Sequence, residues 1–359
     1  MEPQVKKLHA VVAGGVNMDI CGKPALALRM RDSNPGFVSL KPGGVGRNIA
    51  HNLCLLGMDV SLIAAIGGDV YGSSLMDGCR SLGMDMSMAR VEPQRRSSTY
   101  LYVTDEMGDM CVGIADMDIA ECVTPEHLAS CIDRINSADA LVLDTNLSAE
   151  AIRFLAAACT VPIYSDPVST AKAMKLLPVL DRIYALKPNA LEARYLTGEA
   201  EPEKAAERFL EMGVKRVFIS LGTEGMLYAS ADGIGRVPCC PANMIDATGA
   251  GDAAMAAIVW GGTQGFSAQK CAAAAAKAGA IAVECELQTA PISAHRLLFD
   301  IKYKIQKGDS SCSAKTMISS YPILKAAASP FTAPPAARKQ KSLYWISSVT
   351  APPLAAAAR

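Results

Sequence analysis

The sequence predicts an α/β fold in which a mostly parallel central sheet carries helices on both faces. Strand-like runs of Val, Ile and Leu alternate with helical patterns along most of the chain, which is typical of strand–helix–strand units. Half of the 359 residues are hydrophobic, 28 are glycine and only 5% are aromatic. This balance fits an α/β enzyme with one large domain or two ordinary ones.

The alternation begins near the N-terminus. It gives a strand in LHAVVAG, a helix in GRNIAHNLCLLG, a strand in VSLIAAIG and a helix in YGSSLMDGCRSLG. Further strands are predicted in ALVLDT, PIYSDP, RIYALKP and KRVFISLG. The cores of these runs are apolar, as expected for parallel strands that are buried on both faces.

Two segments, residues 20–40 and 97–114, break this rhythm. Both have alternating side chains and a glycine-containing turn, a pattern typical of β-ribbons. Because they do not fit the strand–helix alternation, we expect them to form a separate small sheet.

The composition changes near Gly308. The 51 residues after it contain six prolines, twelve alanines, six Lys and Arg together and a single acid. Such a segment has too little apolar patterning to build a core. The folded domain is therefore predicted to span residues 8–308, and residues 309–359 to form a basic, Pro/Ala-rich, disordered tail.

Charge and cysteine usage argue against several classes of protein. The formal net charge is zero, so nothing indicates a nucleic acid or membrane partner. Twelve cysteines lack CxxC spacing and four histidines lack metal-ligand spacing, which favours free, mostly buried thiols over disulfides or zinc. The apolar run from Leu8 to Val16 is too short for a signal peptide or a membrane span, and we expect a cytoplasmic protein.

The first chemical motif is KPGGVGRNIA, from Lys41 to Ala50. Its glycines at 43, 44 and 46 let the backbone approach a ligand just before a helix. The dinucleotide fingerprint fails because its third glycine would fall at Ile49, and the chain has no GKS or GKT for a Walker A loop. Taken alone, an ordinary strand-to-helix turn explains this motif better than a ligand site.

The second motif is KPNALEARYLTG. Its Asn189 and Glu192 lie three residues apart and would share one face of a helix. Taken alone, a capping box explains this pair better than chemistry does.

The third motif is DATGAGDA, from Asp246 to Ala253. Small residues at 249–251 precede Asp252 where a helix is predicted to start, so unpaired N–H groups and the helix dipole would attract an anion there. An acid in the first turn stabilises a helix by ~0.3–1 kcal/mol, but this does not explain the small residues. Phosphoryl transfer explains both, because the amides would hold the developing charge while Asp252 accepts the proton of the attacking hydroxyl.

The run GGVGRNIA with Gly57 and Gly67 behind it, together with DATGAGD, resembles the two signatures of the ribokinase-like (PfkB) carbohydrate and nucleoside kinases. The resemblance covers about residues 8–305. It implies a ribokinase-like α/β fold whose small β-sheet forms a lid over the sugar site, and often a homodimer made through that lid. It also implies a nucleoside or sugar substrate together with ATP and Mg²⁺.

The resemblance further implies a role for each matching residue. Asp252 would be the catalytic base, and the anion hole would be Gly249, Ala250 and Gly251. The expected substrate-binding residues are Asn17, Asp19, Gly43, Gly44 and Asn48. The expected nucleotide-binding residues are Asn189, Ser220, Gly222 and Gly225. Glu192 would act on Mg²⁺ through water, and Asp246 and Thr248 would bind a monovalent cation such as K⁺.

Within the family, RDSNPG at 31–36, the GGVGRNIAHNLCLLG run and LDTNLS at 143–148 most resemble the pseudouridine kinases. These enzymes phosphorylate the 5′-hydroxyl of pseudouridine with ATP. Val45 stands where ribokinases usually have lysine, which argues against free ribose. A kinase for another nucleoside or sugar stays open, as does a catalytically silent binding regulator, although Asp252 argues against the latter. The candidates to contact the base are Asp32, Asn34 and residues 144–146.

Overall fold

The structure is a computed structural model and describes residues 7–284. In this part of the chain there are fifteen strands and nine α-helices. The strands are β1 (His9–Ala13), β2 (Asn17–Pro24), β3 (Gly36–Gly43), β4 (Asp59–Ile63), β5 (Ala65–Gly67), β6 (Met84–Asp85), β7 (Arg90–Glu92), β8 (Thr99–Thr104), β9 (Met110–Asp116), β10 (Ala140–Asp144), β11 (Ile163–Asp166), β12 (Ile183–Leu186), β13 (Arg216–Ser220), β14 (Met226–Ser230) and β15 (Gly233–Val237). The helices are α1 (Val45–Leu55), α2 (Val70–Ser81), α3 (Pro125–Asn136), α4 (Ala149–Ala158), α5 (Thr170–Ala173), α6 (Ala190–Thr197), α7 (Pro202–Glu211), α8 (Ala250–Thr263) and α9 (Ala268–Val283).

The central sheet has nine strands in the order β15-β14-β13-β12-β11-β10-β1-β4-β6. The seven strands from β13 to β6 are parallel, and β14 and β15 extend one edge antiparallel. The chain first builds the sheet from β1 toward β6 and then returns to the other side of β1 with β10. The strand order thus reverses beside β1, where open α/β sheets bind ligands at the carboxyl ends of their strands.

Helices cover both faces of this sheet, as predicted. Alternate residues of β1 enter different cores: Ala10 and Val12 pack with residues of α1, α2, α8 and α9, while Val11 and Ala13 pack with residues of α3, α4, α6 and α7. This alternation follows from the two-residue period of a strand. It explains why the strand sequences are apolar throughout.

A separate four-stranded sheet has the order β3-β2-β8-β9 and is called the lid sheet below. Its β2 and β8 are parallel, and its outer pairs are antiparallel. The prediction of a small sheet in segments 20–40 and 97–114 is therefore confirmed, with β2 starting earlier, at Asn17, and β3 ending later, at Gly43.

Two details of the strand prediction were wrong. The run VSLIAAIG forms two strands, because the chain leaves the central sheet after Ile63 and the Ala64 carbonyl accepts a hydrogen bond from the Arg90 amide. β5 then pairs with β7 in a sheet of two strands. The β14–β15 hairpin was not predicted, since an antiparallel addition at the sheet edge departs from the strand–helix rhythm.

The ten cysteines within residues 7–284 are free thiols: five are buried, three are partly buried, and Cys111 and Cys239 are exposed. In the same stretch no helix combines the length and apolar character needed to cross a bilayer. The predicted tail at 309–359, and residues 285–308 of the predicted domain, lie outside the described residues.

Candidate active site

The glycine motif of α1 lies directly against the carboxyl end of β1. A Cβ on Gly44 would overlap the carbonyl oxygen of Gly15, and a Cβ on Gly46 would lie 2.9 Å from the carbonyl carbon of Gly14. Gly44, the N-cap of α1, also has a φ of 102°, which side chains rarely adopt. Glycine is therefore required for close packing, and it brings the start of α1 to the point where the strand order reverses.

The predicted sugar-binding residues meet where β2 pairs with the end of β3. Asn17 donates from Nδ2 to Asp19 Oδ1 at 2.6 Å. Gly43 is the register partner of Asn17, and a Cβ on Gly43 would overlap the Asp19 carboxylate. The side-chain amide of Asn17 thus orients the Asp19 carboxylate, which lies against the backbone of Gly43.

The DATGAGDA motif forms the start of α8. Gly249 is the N-cap with φ 79° and ψ −5°, in the left-handed region, and the helix begins at Ala250. Gly249 thus makes the bend that precedes the first turn, and Ala250 and Gly251 lie within that turn. Ala250 N–H makes only a long 3.4 Å bond to the Ala247 carbonyl. Gly251 and Asp252 follow at the positive end of the helix dipole.

Asp252 connects this helix to α1. Asn48 donates from Nδ2 to Asp252 Oδ2 at 2.9 Å. Burial raises the pKa of Asp252 to about 7, with further raising contributions from Asp166 and Asp144, while the Asn48 hydrogen bond and Lys187 oppose the rise. A carboxyl group that titrates near neutral pH suits a general base.

A buried ion pair beside this helix start was missed by the sequence analysis. Lys187 Nζ lies 2.9 Å from Asp166 Oδ2, and both side chains are more than nine-tenths buried. Burial alone would lower the pKa of Lys187, but the charge of Asp166 and the bond to it raise it overall. A Cβ on Gly251 would lie 3.5 Å from Lys187 Nζ, so the ammonium group lies beside the predicted anion hole. The only sign of this pair in the sequence is the position of its two residues: Asp166 ends the buried strand β11, and Lys187 directly follows the neighbouring strand β12.

Asn189 and Glu192 form the capping box at the start of α6. Glu192 N–H donates to Asn189 Oδ1 at 2.8 Å, and Asn189 N–H donates to Glu192 Oε2 at 2.9 Å. Burial raises the pKa of Glu192. Next to this cap, the Ser220 amide donates to the Pro188 carbonyl at 3.0 Å. The capping interpretation is confirmed, and two of the predicted nucleotide-binding residues, Asn189 and Ser220, are neighbours.

Gly222 and Gly225 form the turn between β13 and β14. Both have positive φ, 60° and 95°, and a Cβ on Gly225 would overlap the Val237 carbonyl. Asp246 and Thr248 form a separate turn, in which Thr248 N–H donates to Asp246 Oδ1 at 2.8 Å.

Two tyrosines on the lid sheet were also missed. Tyr100 and Tyr102 stack with ring centroids 5.6 Å apart and an interplanar angle of 29°. The strand register puts Tyr100 opposite Asp19 and Tyr102 opposite Cys21, so both rings share the lid face of Asp19. Burial, the Cys21 hydrogen bond and the charges of Asp19 and Asp246 raise the pKa of Tyr102. The lid thus carries an aromatic surface beside the predicted sugar site.

Asp144 and Asn34, two of the residues predicted to contact a base, lie in different environments. The Asp144 carboxylate is buried and accepts from the amides of Gly15 and Asn146, both at 2.8 Å. It therefore joins the ends of β1 and β10. Asn34 lies in the exposed turn between β2 and β3, where its Oδ1 accepts from the Arg29 amide at 2.8 Å.

Comparison with known proteins finds relatives that share this fold and part of this sequence. The fold is similar to that of a putative ribokinase II from E. coli solved in complex with ATP and Mg²⁺, with a TM-score of 0.70 and 21% identity over 84% of this chain and 100% of that one. By sequence, the chain is 37% identical to the pseudouridine kinase of E. coli K12, over 80% of this chain and 94% of that protein. It is also 34% identical to the uncharacterized sugar kinase YeiI of E. coli K12, over 76% and 77% of the two chains.

The ribokinase-like fold and these relatives define a phosphotransferase that acts on an alcohol group. Residues 7–295 match the family described as pfkB family carbohydrate kinase. The chain belongs to the pfkB family.

Proposed function

We propose that this protein transfers a phosphoryl group from ATP to the 5′-hydroxyl of pseudouridine, giving pseudouridine 5′-phosphate. The observation that carries the proposal is the placement of Asp252. Its pKa is raised to about 7, it lies in the first turn of α8, and Asn48 links it to the glycine motif. A base near its working pH beside a cluster of backbone amides is what hydroxyl phosphorylation needs.

In this proposal the protein's own groups divide the work. Asp19, oriented by Asn17 and lying over Gly43, binds the sugar hydroxyls together with Gly44 and Asn48. Asp252 accepts the proton of the 5′-hydroxyl as its oxygen attacks the γ-phosphorus of ATP, and the bond from that phosphorus to the bridging oxygen breaks to release ADP. The backbone N–H groups at the start of α8 and the Lys187 ammonium stabilise the charge on the transferred group.

The charges around the site fit a divalent cation. Glu192 interacts with Asp166 and with Lys187, so carboxylates outnumber the ammonium group there, and Mg²⁺ favours such oxygen donors. Glu192 would hold Mg²⁺ through water, and the bound ion would neutralise charge on the phosphates. The proposed nucleotide contacts are Asn189, Ser220, Gly222 and Gly225. The Asp246–Thr248 turn offers oxygen ligands for a monovalent cation such as K⁺.

Two observations support a nucleoside as the acceptor. The chain is 37% identical to a protein named pseudouridine kinase. The stacked Tyr100 and Tyr102 on the Asp19 face would give the planar ring of a nucleobase an aromatic stacking partner. The similarity to the sugar kinase YeiI favours, as a second candidate, a pfkB kinase for another nucleoside or a sugar.

The test is ATP consumption with pseudouridine, uridine, adenosine, ribose and fructose 6-phosphate, with the product identified by ³¹P NMR. We expect the highest kcat/KM with pseudouridine. Tyr102→Ala should lower kcat/KM for the preferred nucleoside more than for ribose, because stacking contributes about 0.5–1.5 kcal/mol beyond the buried area. Preference for ribose or fructose 6-phosphate would refute pseudouridine as the substrate and leave the kinase class intact.

We also propose a homodimer made through the lid sheet. The lid face opposite Asp19 exposes aliphatic side chains, with Val38 70%, Leu40 50% and Ile114 62% exposed. Register pairs bring Leu40 beside Ile20, Ile20 beside Leu101 and Leu101 beside Ile114. A contiguous apolar surface of this kind is typical of an association site.

A further inference from the structure

Arg47 lies in the first turn of α1, next to Asn48, and 92% of it is shielded from solvent. Its Nη1 donates to Asn48 Oδ1 at 3.1 Å. Asn48 in turn donates from Nδ2 to Asp252 Oδ2 at 2.9 Å. Three side chains thus form a chain of hydrogen bonds that runs from the interior of the fold to the proposed base.

The orientation of the Asn48 amide in this series of hydrogen bonds has a physical cause. The two ends of an asparagine amide are nearly equal in size, so packing alone does not decide which end faces Asp252. Arginine has donors and no acceptor. The atom of Asn48 that faces Arg47 must therefore be the carbonyl oxygen, and the NH₂ group must face the carboxylate.

The surroundings of Arg47 argue against a purely structural role. Its Nε is buried and has no hydrogen-bond partner within residues 7–284, which is costly for a charged group. The charged and titratable groups that face Arg47 are Cys79 from α2, which hydrogen-bonds with its side chain, Asp19 from β2 and His51 from α1. A buried cation with an unpaired donor is poor packing for a core, so its presence calls for another explanation.

We propose that Arg47 is a positioning residue for the catalytic base, because it fixes the Asn48 amide so that the NH₂ group always faces Asp252. The proposal rests on the proposed role of Asp252. Without Arg47 the amide could rotate and present its oxygen to the carboxylate. Asp252 would then lose a donor that stabilises its ionised, proton-accepting form.

The other groups around Asp252 make this donor important. Asp144 at the end of β10 and Asp166 at the end of β11 both favour the protonated form, as does burial. Lys187, after β12, and Asn48, from α1, oppose them. Because Lys187 is already paired with Asp166, the Asn48 hydrogen bond is the direct contact that keeps Asp252 available as a base near neutral pH.

The experiment compares Arg47→Gln with Arg47→Lys, using the best acceptor from the substrate panel. Glutamine can accept as well as donate, whereas lysine only donates. In the pH profile of kcat, we expect Arg47→Gln to raise the apparent pKa of the acid limb by about one pH unit. A shift of this size corresponds to the free energy of one hydrogen bond to a charged group. Arg47→Lys should lower kcat, because an ammonium group does not reproduce the planar guanidinium geometry, but it should keep the wild-type acid limb. Arg80→Gln, on the exposed side of α2, is the matched control.

Equal acid limbs for the glutamine and lysine variants would overturn the proposal. A second measurement covers poor folding of either variant: in the Asn48→Ala background, Arg47→Gln should cause no further change in kcat, because the group through which Arg47 acts is gone. Additive losses would also overturn it. Failure of the base assignment itself is distinguishable, since Asp252→Asn would then turn over normally.

Discussion

At the scale of single residues, opposing interactions set the behaviour of Asp252. Burial, Asp166 and Asp144 favour its neutral form, and the Asn48 hydrogen bond and Lys187 favour its charged form. The outcome is a pKa of about 7, well above the ordinary 3.8. This carboxyl group is therefore suited to proton transfer and poorly suited to stabilising the fold.

Replacing the Asp252 carboxylate should strongly lower turnover but leave substrate binding intact. We expect Asp252→Asn to lower kcat by ~10²–10⁴, the usual cost of losing a general base, with little change in nucleoside binding measured by calorimetry. In the wild type, kcat should fall as the pH drops below about 7, because Asp252 becomes protonated. Asp77→Asn, at a side chain that is 80% exposed, should change neither. Near-normal turnover of Asp252→Asn would exclude it as the base.

Asp252→Asn should increase the stability of the fold although it lowers turnover. Because the folded pKa exceeds the unfolded one, the native state binds the extra proton between about pH 4 and 7. The stability contributed by this group is fully present below pH 4 and is lost as the pH rises through 7. Asparagine imitates the neutral carboxyl, so Asp252→Asn should raise Tm more at pH 8 than at pH 4. An equal shift at both pH values would contradict the raised pKa.

At the scale of elements, the start of α8 depends on the left-handed Gly249. Gly249→Ala should destabilise the protein by about 1–2 kcal/mol through backbone strain and lower kcat by at least tenfold, since small displacements of catalytic groups are costly. Gly57 is the matched control: its φ is 86° and a Cβ there would meet open space. Gly57→Ala should cause a similar fall in Tm with turnover intact. Equal turnover losses would mean that the bend has no particular role in catalysis.

The sequence predicted these elements because their signals are local. A glycine turn before α1, a small-residue turn before α8 and the Asn189–Glu192 cap each lie within one short segment. The Asp166–Lys187 pair and the Arg47–Asn48–Asp252 chain are different, because each forms only when distant segments pack together. Such contacts leave no periodic pattern in the sequence, and the structure was needed to find them.

At the scale of the whole molecule, assembly should depend on one face of the lid sheet. Leu40→Glu and Ile114→Glu place charges on the proposed contact, so each should convert a dimer of twice 37.7 kDa to a monomer in light scattering. Val91→Glu, at an exposed residue on β7 outside the lid, should leave the mass unchanged. A wild-type protein that is monomeric at micromolar concentration would refute the proposed dimer.

The lid sheet also limits how this sequence can vary over evolution. Neighbouring residues of β8 point to opposite faces, with Tyr100 and Tyr102 on the Asp19 side and Leu101 on the aliphatic side. Deleting a single residue within β8 would exchange the two sets of side chains beyond that point. One deletion would thus disrupt both the face that carries Tyr100 and Tyr102 and the aliphatic face. Descendants of this sequence should keep the lid strands constant in length and accumulate insertions and deletions in the exposed turn at residues 106–109, between β8 and β9.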